Sequence, residues 1–375
     1  MADFTLIEHQ FMVRALALAK RGHYSTSPNP RVGCVIVKQQ KIVGQGFHLK
    51  AGTAHAEVNA IKQAGSLCTG ATAYVTLEPC SHFGRTPPCA QALIESGISQ
   101  VVIAMVDPNP LVSGQGITIL EKAGIEVKVG LLKEDAQALN LGFIKLMTSG
   151  LPYVRCKLAA SLDGKTAMAS GESQWITSQE ARTDVQRLRA QSCAVISGAD
   201  SILTDNARMT VRWSELNNLI KIDDIESRQP LRVVIDSKNR LTPELAFFSE
   251  DSSVILIRHS IDKNQVWPDF VEQVCLPFAG NSLHINLTAL LKLLAQRGLN
   301  DVLIESGLRL AGAFFEQDLV DELILYQAPK IMGASGKSLL AMPSINQLAQ
   351  TKRFTFDNVS MVGPDIRIVA SFHKK

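Results

Sequence analysis

The chain reads His55-Ala56-Glu57 and, further on, Thr76-Leu77-Glu78-Pro79-Cys80-Ser81-His82-Phe83-Gly84-Arg85-Thr86-Pro87-Pro88-Cys89. Zinc accepts imidazole and thiolate ligands, and three protein ligands leave its fourth tetrahedral position open to a water. The metal loosens a proton of that water, and a nearby carboxylate that is not a ligand can carry the proton. The sequence therefore predicts one zinc ion per chain, with His55, Cys80 and Cys89 as ligands and Glu57 as the catalytic acid and base.

A closed structural zinc site is the alternative interpretation of the same residues. It requires a fourth protein ligand, which His48 or His82 would supply. Glu57 favours the catalytic interpretation, because two residues past His55 it can lean toward the open position without binding the metal. Both metal-binding segments are predicted at helix starts, where unpaired backbone amides favour the thiolate form of a cysteine.

Zinc-dependent nucleobase deaminases carry H-x-E followed by P-C-x-x-C, whereas eight residues separate Cys80 from Cys89 here. The long interval resembles the bifunctional riboflavin-biosynthesis deaminase–reductase family. The resemblance continues through both halves of the chain, in Pro28-Asn29-Pro30-Arg31-Val32-Gly33-Cys34, Lys157, Ser161-Leu162-Asp163-Gly164-Lys165-Thr166-Ala167, Gly171-Glu172-Ser173-Gln174-Trp175-Ile176 and residues 305–312. It implies an α/β protein with a cytidine-deaminase-like α/β/α domain over 1–149 and a dihydrofolate-reductase-like α/β domain over 150–375.

Composition restricts the class of protein. Hydrophobic residues make up 46% of the 375 residues and charged ones 19%, which is typical of a globular chain of two domains. The net charge of +3 is spread without a basic run, so a nucleic-acid partner is not expected. No apolar stretch reaches the roughly 18 residues of a membrane span, and the seven cysteines are an odd number that indicates reduced thiols. We expect a cytoplasmic homo-oligomer that acts on a small molecule and binds no membrane.

Hydrophobic periodicity predicts the elements of both halves. In the first half it indicates helices over 3–21, 56–64 and 89–96 and strands over 33–38, 41–47, 71–77 and 100–106. In the second half it indicates a helix over 179–191 and strands over 153–158, 194–197, 231–235, 254–257, 302–304, 322–326 and 366–372. This alternation is typical of a largely parallel sheet with crossover helices.

The chain has no G-x-G-x-x-G motif, so a Rossmann cofactor site is not expected. Residues 306–312, Ser-Gly-Leu-Arg-Leu-Ala-Gly, follow a predicted buried strand and open a helix, where backbone amides can bind a phosphate. A glycine at a strand-to-helix turn also occurs for purely structural reasons.

The family resemblance implies two reactions and their residues. The first is hydrolytic deamination of a phosphoribosylated diaminopyrimidine, and the second is NADPH-dependent reduction of its ribosyl group to a ribityl chain. Residues implied to face NADPH are Ala159, Trp175, Ser201, Asp205, Ser237, Gly307, Leu308, Arg309, Leu310, Ala311, Gly312 and Ala313. Residues implied to face the reductase substrate are Lys157, Ser173, Arg189, Met209, Arg212 and Glu305. Residues implied to face the deaminase substrate are Asn29, His48, His82 and Arg85.

Several of these residues have ordinary alternatives. Asn29 could instead stabilise its loop, Arg189 could be a solvated helix residue, and Trp175 could be an ordinary aromatic residue of the core. The segment 204–212 departs from the Asp-Asp-Pro pattern of many relatives at Asn206 and Ala207, which puts the rigidity of this loop in doubt.

Two other functions compete with this interpretation. The short P-C-x-x-C spacing and a basic face would favour an RNA-editing deaminase with an RNA-binding C-terminal domain, and neither feature is present. A regulatory pyrimidine-binding module with structural zinc has no need of Glu57.

Overall fold

The computed structural model describes residues 3–81, 88–110, 112–216, 228–261, 263–280 and 284–372. The chain divides into two compact units, Met1–Leu151 and Pro152–Lys375. The predicted boundary between residues 149 and 150 lies next to this division. Within the described ranges, no helix is long and apolar enough to span a membrane.

The first unit is built on a five-stranded sheet in the order β2-β1-β3-β4-β5. Its strands are β1 Gly33–Lys38, β2 Lys41–Phe47, β3 Thr72–Val75, β4 Gln100–Ile103 and β5 Glu126–Val129. Its helices are α1 Leu6–Arg21, α2 Ala56–Ala64, α3 Cys89–Glu95, α4 Gln115–Lys122, α5 Lys133–Leu139 and α6 Leu141–Ser149. β1 pairs antiparallel with β2 and β3, whereas β3, β4 and β5 run parallel.

Close packing of α2 on β2 sets the position of the predicted metal-binding helix. A Cβ atom on Gly44 would lie 2.3 Å from the carbonyl oxygen of Ala60, and one on Gly46 would lie 2.5 Å from that of Ala56. Only glycine permits this approach of a helix backbone to a strand. The two glycines therefore serve helix packing, and not the nucleotide binding that a G-x-G pattern suggests elsewhere.

The second unit contains a nine-stranded sheet in the order β11-β10-β9-β8-β12-β6-β13-β16-β15 and a two-stranded sheet, β14-β7. The strands are β6 Tyr153–Ser161, β7 Lys165–Ala167, β8 Ala194–Gly198, β9 Leu231–Ile235, β10 Val254–Arg258, β11 Val271–Cys275, β12 Asp301–Glu305, β13 Glu322–Ala328, β14 Lys337–Ser338, β15 Phe354–Val362 and β16 Asp365–Phe372. The helices are α7 Gln179–Gln191, α8 Ala199–Asp205, α9 Trp213–Leu216, α10 Leu287–Gln296 and α11 Leu308–Glu316. The strands from β11 to β13 in this order are parallel, and β16 and β15 close the sheet with antiparallel pairs.

The predicted elements of both units are present, with some different ends. Helix α1 begins at Leu6 and not at residue 3, because Thr5 caps it through a reciprocal capping box with Glu8. Strand β4 ends at Ile103, three residues before its predicted end. Strand β6 continues to Ser161, because it pairs along its length with β13.

Candidate functional site

The three predicted zinc ligands meet in one place. Nδ1 of His55 lies 3.2 Å from Sγ of Cys89 and 3.7 Å from Sγ of Cys80. All three ligand atoms fall within 4.8 Å of one another. Zn–S and Zn–N bonds of ordinary length in a tetrahedron place such atoms roughly 3.6–3.8 Å apart, so the donor set fits a zinc ion.

Helix ends position these ligands, with one correction to the sequence-based prediction. His55 is the N-cap of α2 and Cys89 is the first residue of α3, as predicted. Cys80, however, lies in the irregular segment after β3 and not at a helix start. The helix still acts on it, because the backbone N–H of Cys89 donates to Sγ of Cys80 at 3.3 Å.

The two thiols differ in acidity. Hydrogen bonds from Cys89 and His55 lower the pKa of the Cys80 thiol to about 4, against the effect of burial. The proton that Cys89 shares with Cys80, together with burial, raises the pKa of Cys89. The pair thus holds one proton between two sulfur atoms, and a divalent cation bound by both displaces it.

Glu57 lies beside this cluster in the first turn of α2. Its side chain is 3% exposed, and Oε2 has no hydrogen-bond partner among the described residues. Burial raises the pKa of its carboxyl from 4.5 to about 7. A buried polar atom without a partner is costly, and a water or substrate group bound at the cluster would satisfy it. Glu57 and the three ligands together fit the zinc site that the sequence predicts.

His48 is not a fourth ligand. Its Nδ1 lies 3.3 Å from the carbonyl oxygen of Ala54, and its Nε2 lies 3.1 Å from Nδ2 of Asn29. These partners suit a neutral ring that donates at Nδ1 and accepts at Nε2. The ring also meets that of His55 edge to face, with centroids 5.2 Å apart. His48 therefore supports His55 and orients Asn29. His82 and Arg85, the other predicted pocket residues, lie outside the described residues.

The second unit gathers charged side chains at the carboxyl end of β12 and beside it in the middle of β6. Glu305 and Lys157 are paired in register on these strands. Arg189 of α7 donates to both carboxylate oxygens of Glu305, at 2.7 and 2.8 Å. Burial by itself would raise the pKa of the Glu305 carboxyl, but the charge and hydrogen bonds of Arg189 hold it at about 2. Burial lowers the pKa of Lys157. Arg189 is thus a buried ion-pair partner and not a solvated helix residue.

The loop after α8 reaches the same cluster. Arg189 donates to the carbonyl oxygen of Thr210 at 2.8 Å, and its Nη2 lies 3.6 Å from Sδ of Met209. The charge of Arg212 acts on Glu305, although its guanidinium also binds Glu215 at 2.6 and 3.2 Å. The charge of Asp205 acts on Lys157.

Asn206 explains how this loop tolerates its departure from the family pattern. It ends α8 in the left-handed region, with a φ of 45°, which asparagine adopts more readily than most residues. Its Oδ1 accepts the N–H of Ala246 at 3.0 Å. The loop is therefore anchored at the position of the departure.

The predicted cofactor segment forms the start of α11. Gly307 is the N-cap without a side-chain cap, and its N–H donates to Oγ of Ser201 at 3.0 Å. A helix start binds a phosphate through its uncapped backbone amides, and a glycine there leaves space for the phosphate group. The backbone amides of Leu308, Arg309 and Leu310 in the first turn are therefore available to a phosphate. Ala311 and Gly312, also predicted to face the cofactor, are buried instead, and a Cβ atom on Gly312 would lie 2.1 Å from the carbonyl oxygen of Ala341.

The remaining predicted residues are more scattered. Ala159 continues β6 two residues beyond Lys157, and Ser237 follows the end of β9. Trp175 is 63% exposed with the guanidinium of Arg182 4.5 Å from its ring centroid, so the alternative of a core aromatic is wrong. Ser173 lies in the same segment before α7, and no described contact joins either residue to the Glu305 cluster.

Sequence reasoning assigned no role to two features. Glu78 is buried and its carboxylate accepts hydrogen bonds from four backbone amides. Asp200 binds Arg240 at 2.7 Å and Arg309 at 3.7 Å near the start of α11. For Glu78, the available signal was a charged residue at the end of an apolar strand. The ion pairs of Asp200 join residues that are too distant in sequence to be found in this way.

Comparison with known proteins assigns both units. A family model described as "Cytidine and deoxycytidylate deaminase zinc-binding region" matches residues 7–105, and one described as "RibD C-terminal domain" matches residues 152–368. Riboflavin biosynthesis protein RibD of Escherichia coli is 48% identical over 96% of this chain and 98% of its own length. The Haemophilus influenzae protein of the same name is 45% identical over 98% of each chain.

This chain belongs to the RibD family. Two solved RibD-type structures share its whole fold. Acinetobacter baumannii RibD matches with a TM-score of 0.90 at 44% identity, covering 98% of this chain and 99% of the other. A Thermotoga maritima diaminohydroxyphosphoribosylaminopyrimidine deaminase/5-amino-6-(5-phosphoribosylamino)uracil reductase matches with a TM-score of 0.85 at 34% identity, over 98% and 99% of the two chains.

Membership of the RibD family establishes the activity of the chain as a whole. The protein is a bifunctional enzyme of riboflavin biosynthesis that hydrolytically deaminates the phosphoribosylated pyrimidine and then reduces its ribosyl group. Zinc is the cofactor of the deaminase, and NADPH is the cofactor of the reductase. The fold class predicted from the sequence, a cytidine-deaminase-like domain followed by a dihydrofolate-reductase-like domain, is confirmed.

Proposed function

We propose that residues 1–149 carry the deamination, with zinc held by His55, Cys80 and Cys89 and the proton carried by Glu57. The observation behind this proposal is Oε2 of Glu57, which is buried beside a three-ligand cluster and has no hydrogen-bond partner among the described residues. A closed structural site would leave this atom unexplained. The same geometry leaves His48 no free ring nitrogen with which to complete such a site.

The proposed chemistry divides between the metal and the chain. Zinc held by His55, Cys80 and Cys89 would supply a Lewis acid that makes a water more acidic. Glu57 would accept a proton of the attacking water at Oε2 and deliver it to the departing amine, so that water is consumed, ammonia leaves and the ring carbon becomes a carbonyl. The raised pKa of Glu57 suits a group that both accepts and donates a proton near neutral pH.

We assign the deaminase substrate pocket to Asn29, His48, His82 and Arg85. The amide of Asn29 is half-buried and held by His48, which leaves its oxygen to face a ring edge or a hydroxyl. Arg85 suits a phosphate because its guanidinium is permanently charged. This assignment rests on the family resemblance for His82 and Arg85.

We assign the reduction to residues 150–375, with the substrate at the carboxyl end of β12 and the adjacent middle of β6. Lys157, Arg189 and Glu305 form a charged cluster there that Met209 and Arg212 approach from the loop after α8. NADPH would lie along Ser201, Gly307 and the first turn of α11, where ligands of open α/β sheets bind. Ser173, Ala159, Trp175, Asp205 and Ser237 complete the proposed sites.

We further propose a homo-oligomer in the cytoplasm. The seven cysteines are all free, as reduced thiols are in that compartment. Strand β15 is an edge of the nine-stranded sheet, and its Phe356, Val359 and Met361 are 70%, 58% and 63% exposed. Exposed apolar edge strands invite pairing, and a second copy of the chain would cover this one. Light scattering should give a lower mass for Val359→Lys than for the native chain, and a native monomer would contradict the proposal.

Two substrates given separately test the division of labour. Glu57→Gln should release ammonia from the diaminopyrimidine at least about a hundred-fold more slowly, yet should oxidise NADPH normally when supplied with the deaminated intermediate. Arg212→Ala should do the reverse. Equal impairment of both steps by either variant would overturn the assignment of one activity to each unit.

A further inference from the structure

Glu78 is a buried carboxylate two residues before the proposed ligand Cys80. Its side chain lies in the first unit with 3% of its surface exposed. Burial of a carboxylate is costly unless its oxygens receive hydrogen bonds. The presence of a buried carboxylate so close to a proposed metal ligand therefore needs a physical explanation.

Four backbone amides of residues 107–117 supply those hydrogen bonds. Oε2 accepts the N–H groups of Asp107 and Gly114, each at 3.0 Å. Oε1 accepts those of Gly116 at 2.9 Å and Ile117 at 3.4 Å. Gly114 is the N-cap of α4, so the carboxylate also lies where the helix dipole favours a negative charge.

A second contact fixes the same segment. A Cβ atom on Gly116 would lie 2.1 Å from the carbonyl oxygen of Pro79, so the start of α4 packs directly on the residue between Glu78 and Cys80. On the far side, Cys80 Sγ accepts the N–H of Cys89. The backbone that carries Cys80 is therefore held from both directions before any metal binds.

We propose that Glu78 is a positioning residue of the deaminase centre, which holds Cys80 at ligand distance from His55 and Cys89 by binding the four amides of residues 107–117. The proposal rests on the assignment of Cys80 as a zinc ligand. The charge is essential to it, because a glutamine of the same shape keeps one acceptor oxygen and turns an NH2 group toward two N–H donors.

Zinc affinity of the full chain tests the proposal without reference to turnover. Glu78→Gln should bind zinc about 10- to 100-fold more weakly in competition with a chromophoric chelator, as loss of a group behind a ligand usually does. The cobalt-loaded variant should show altered ligand-field bands. Glu95→Gln, an exposed glutamate of α3 that accepts only from Gln91 among its described contacts, is the matched control and should leave both unchanged.

Further variants separate the possible failures. Cys80→Ser must itself weaken zinc binding, and if it does not, the assigned ligand set fails. If Cys80→Ser weakens zinc binding while Glu78→Gln lowers only thermal stability, with native zinc affinity and cobalt spectrum, Glu78 is merely structural and the inference fails. If Glu78→Gln does not fold, Glu78→Asp decides, because it keeps the charge but is too short to reach all four amides. Native zinc affinity in that variant would overturn the proposal.

Discussion

Arg189 binds Glu305 through two hydrogen bonds, from Nε to Oε2 at 2.7 Å and from Nη2 to Oε1 at 2.8 Å. Both side chains are largely buried, with exposures of 10% and 13%. The same guanidinium reaches Thr210 and Met209, so it joins strand β12 to the loop after α8. The pair therefore shapes the proposed reductase site as well as stabilising the unit that contains it.

Arg189→Met should destabilise the second unit by about 3–5 kcal/mol, because it leaves the buried carboxylate of Glu305 unpaired. All three tryptophans lie in this unit, so urea unfolding followed by tryptophan fluorescence reports on it selectively. Arg187→Met on the same helix removes a more exposed partner of Asp184 and should cost less than about 1 kcal/mol. Equal effects of the two variants would contradict the assigned importance of the Arg189 pair.

The same pair predicts a pH dependence of stability. The folded pKa of Glu305 is about 2, below its ordinary 4.5, so its contribution is complete above pH 4.5 and is lost as the pH falls toward 2. The difference in unfolding free energy between the native chain and Glu305→Gln should therefore shrink across this window. A difference that stays constant or grows on acidification would show that the carboxylate is not held ionised.

Loss of either sulfur ligand should remove zinc from the first unit only. Cys80→Ser and Cys89→Ser should lower the zinc content measured by elemental analysis and abolish ammonia release. Reduction of the deaminated intermediate should persist. Cys34→Ser, at a buried thiol of β1 outside the cluster, is the control and should retain zinc. Full zinc content in Cys80→Ser or Cys89→Ser would refute the ligand set.

The position of Arg240 predicts that the reductase binds NADPH in preference to NADH. It follows β9 by five residues and shares Asp200 with Arg309 at the carboxyl edge of the sheet, near the start of α11. Guanidinium pairs suit a phosphate monoester such as the one that distinguishes NADPH. Arg240→Gln should weaken NADPH binding roughly tenfold in a fluorescence titration, which corresponds to about 1.4 kcal/mol. NADH binding should change little, and equal weakening of both would remove Arg240 from this role.

Arg297→Gln provides the matched control for that measurement. Arg297 binds Glu272 at 2.6 Å, in a pair formed between the end of α10 and the start of β11. It is a surface arginine of the same unit at the amino ends of the strands. Its loss should leave the affinity for both nucleotides unchanged.

Motifs and hydrophobic periodicity were enough to predict the reaction, the fold class and most secondary-structure elements. His55, Glu57, Cys80 and Cys89 have few chemical uses at this spacing, and the helices 56–64 and 179–191 follow from local periodicity with their observed ends. Local signals suffice there, because a helix hydrogen-bonds within its own segment. They fail at strand ends such as Ile103, where the partner strand decides how far pairing extends.

Which polar groups meet in a buried space could not be predicted and became known from the folded chain. His48 is an available zinc ligand in the sequence, yet contacts with Asn29 and Ala54 occupy both of its ring nitrogens. Glu78 binds amides 29 to 39 residues away in the chain. A buried polar group needs a hydrogen-bond partner. Packing between segments that are distant in sequence determines which group becomes that partner, so local sequence patterns do not reveal it.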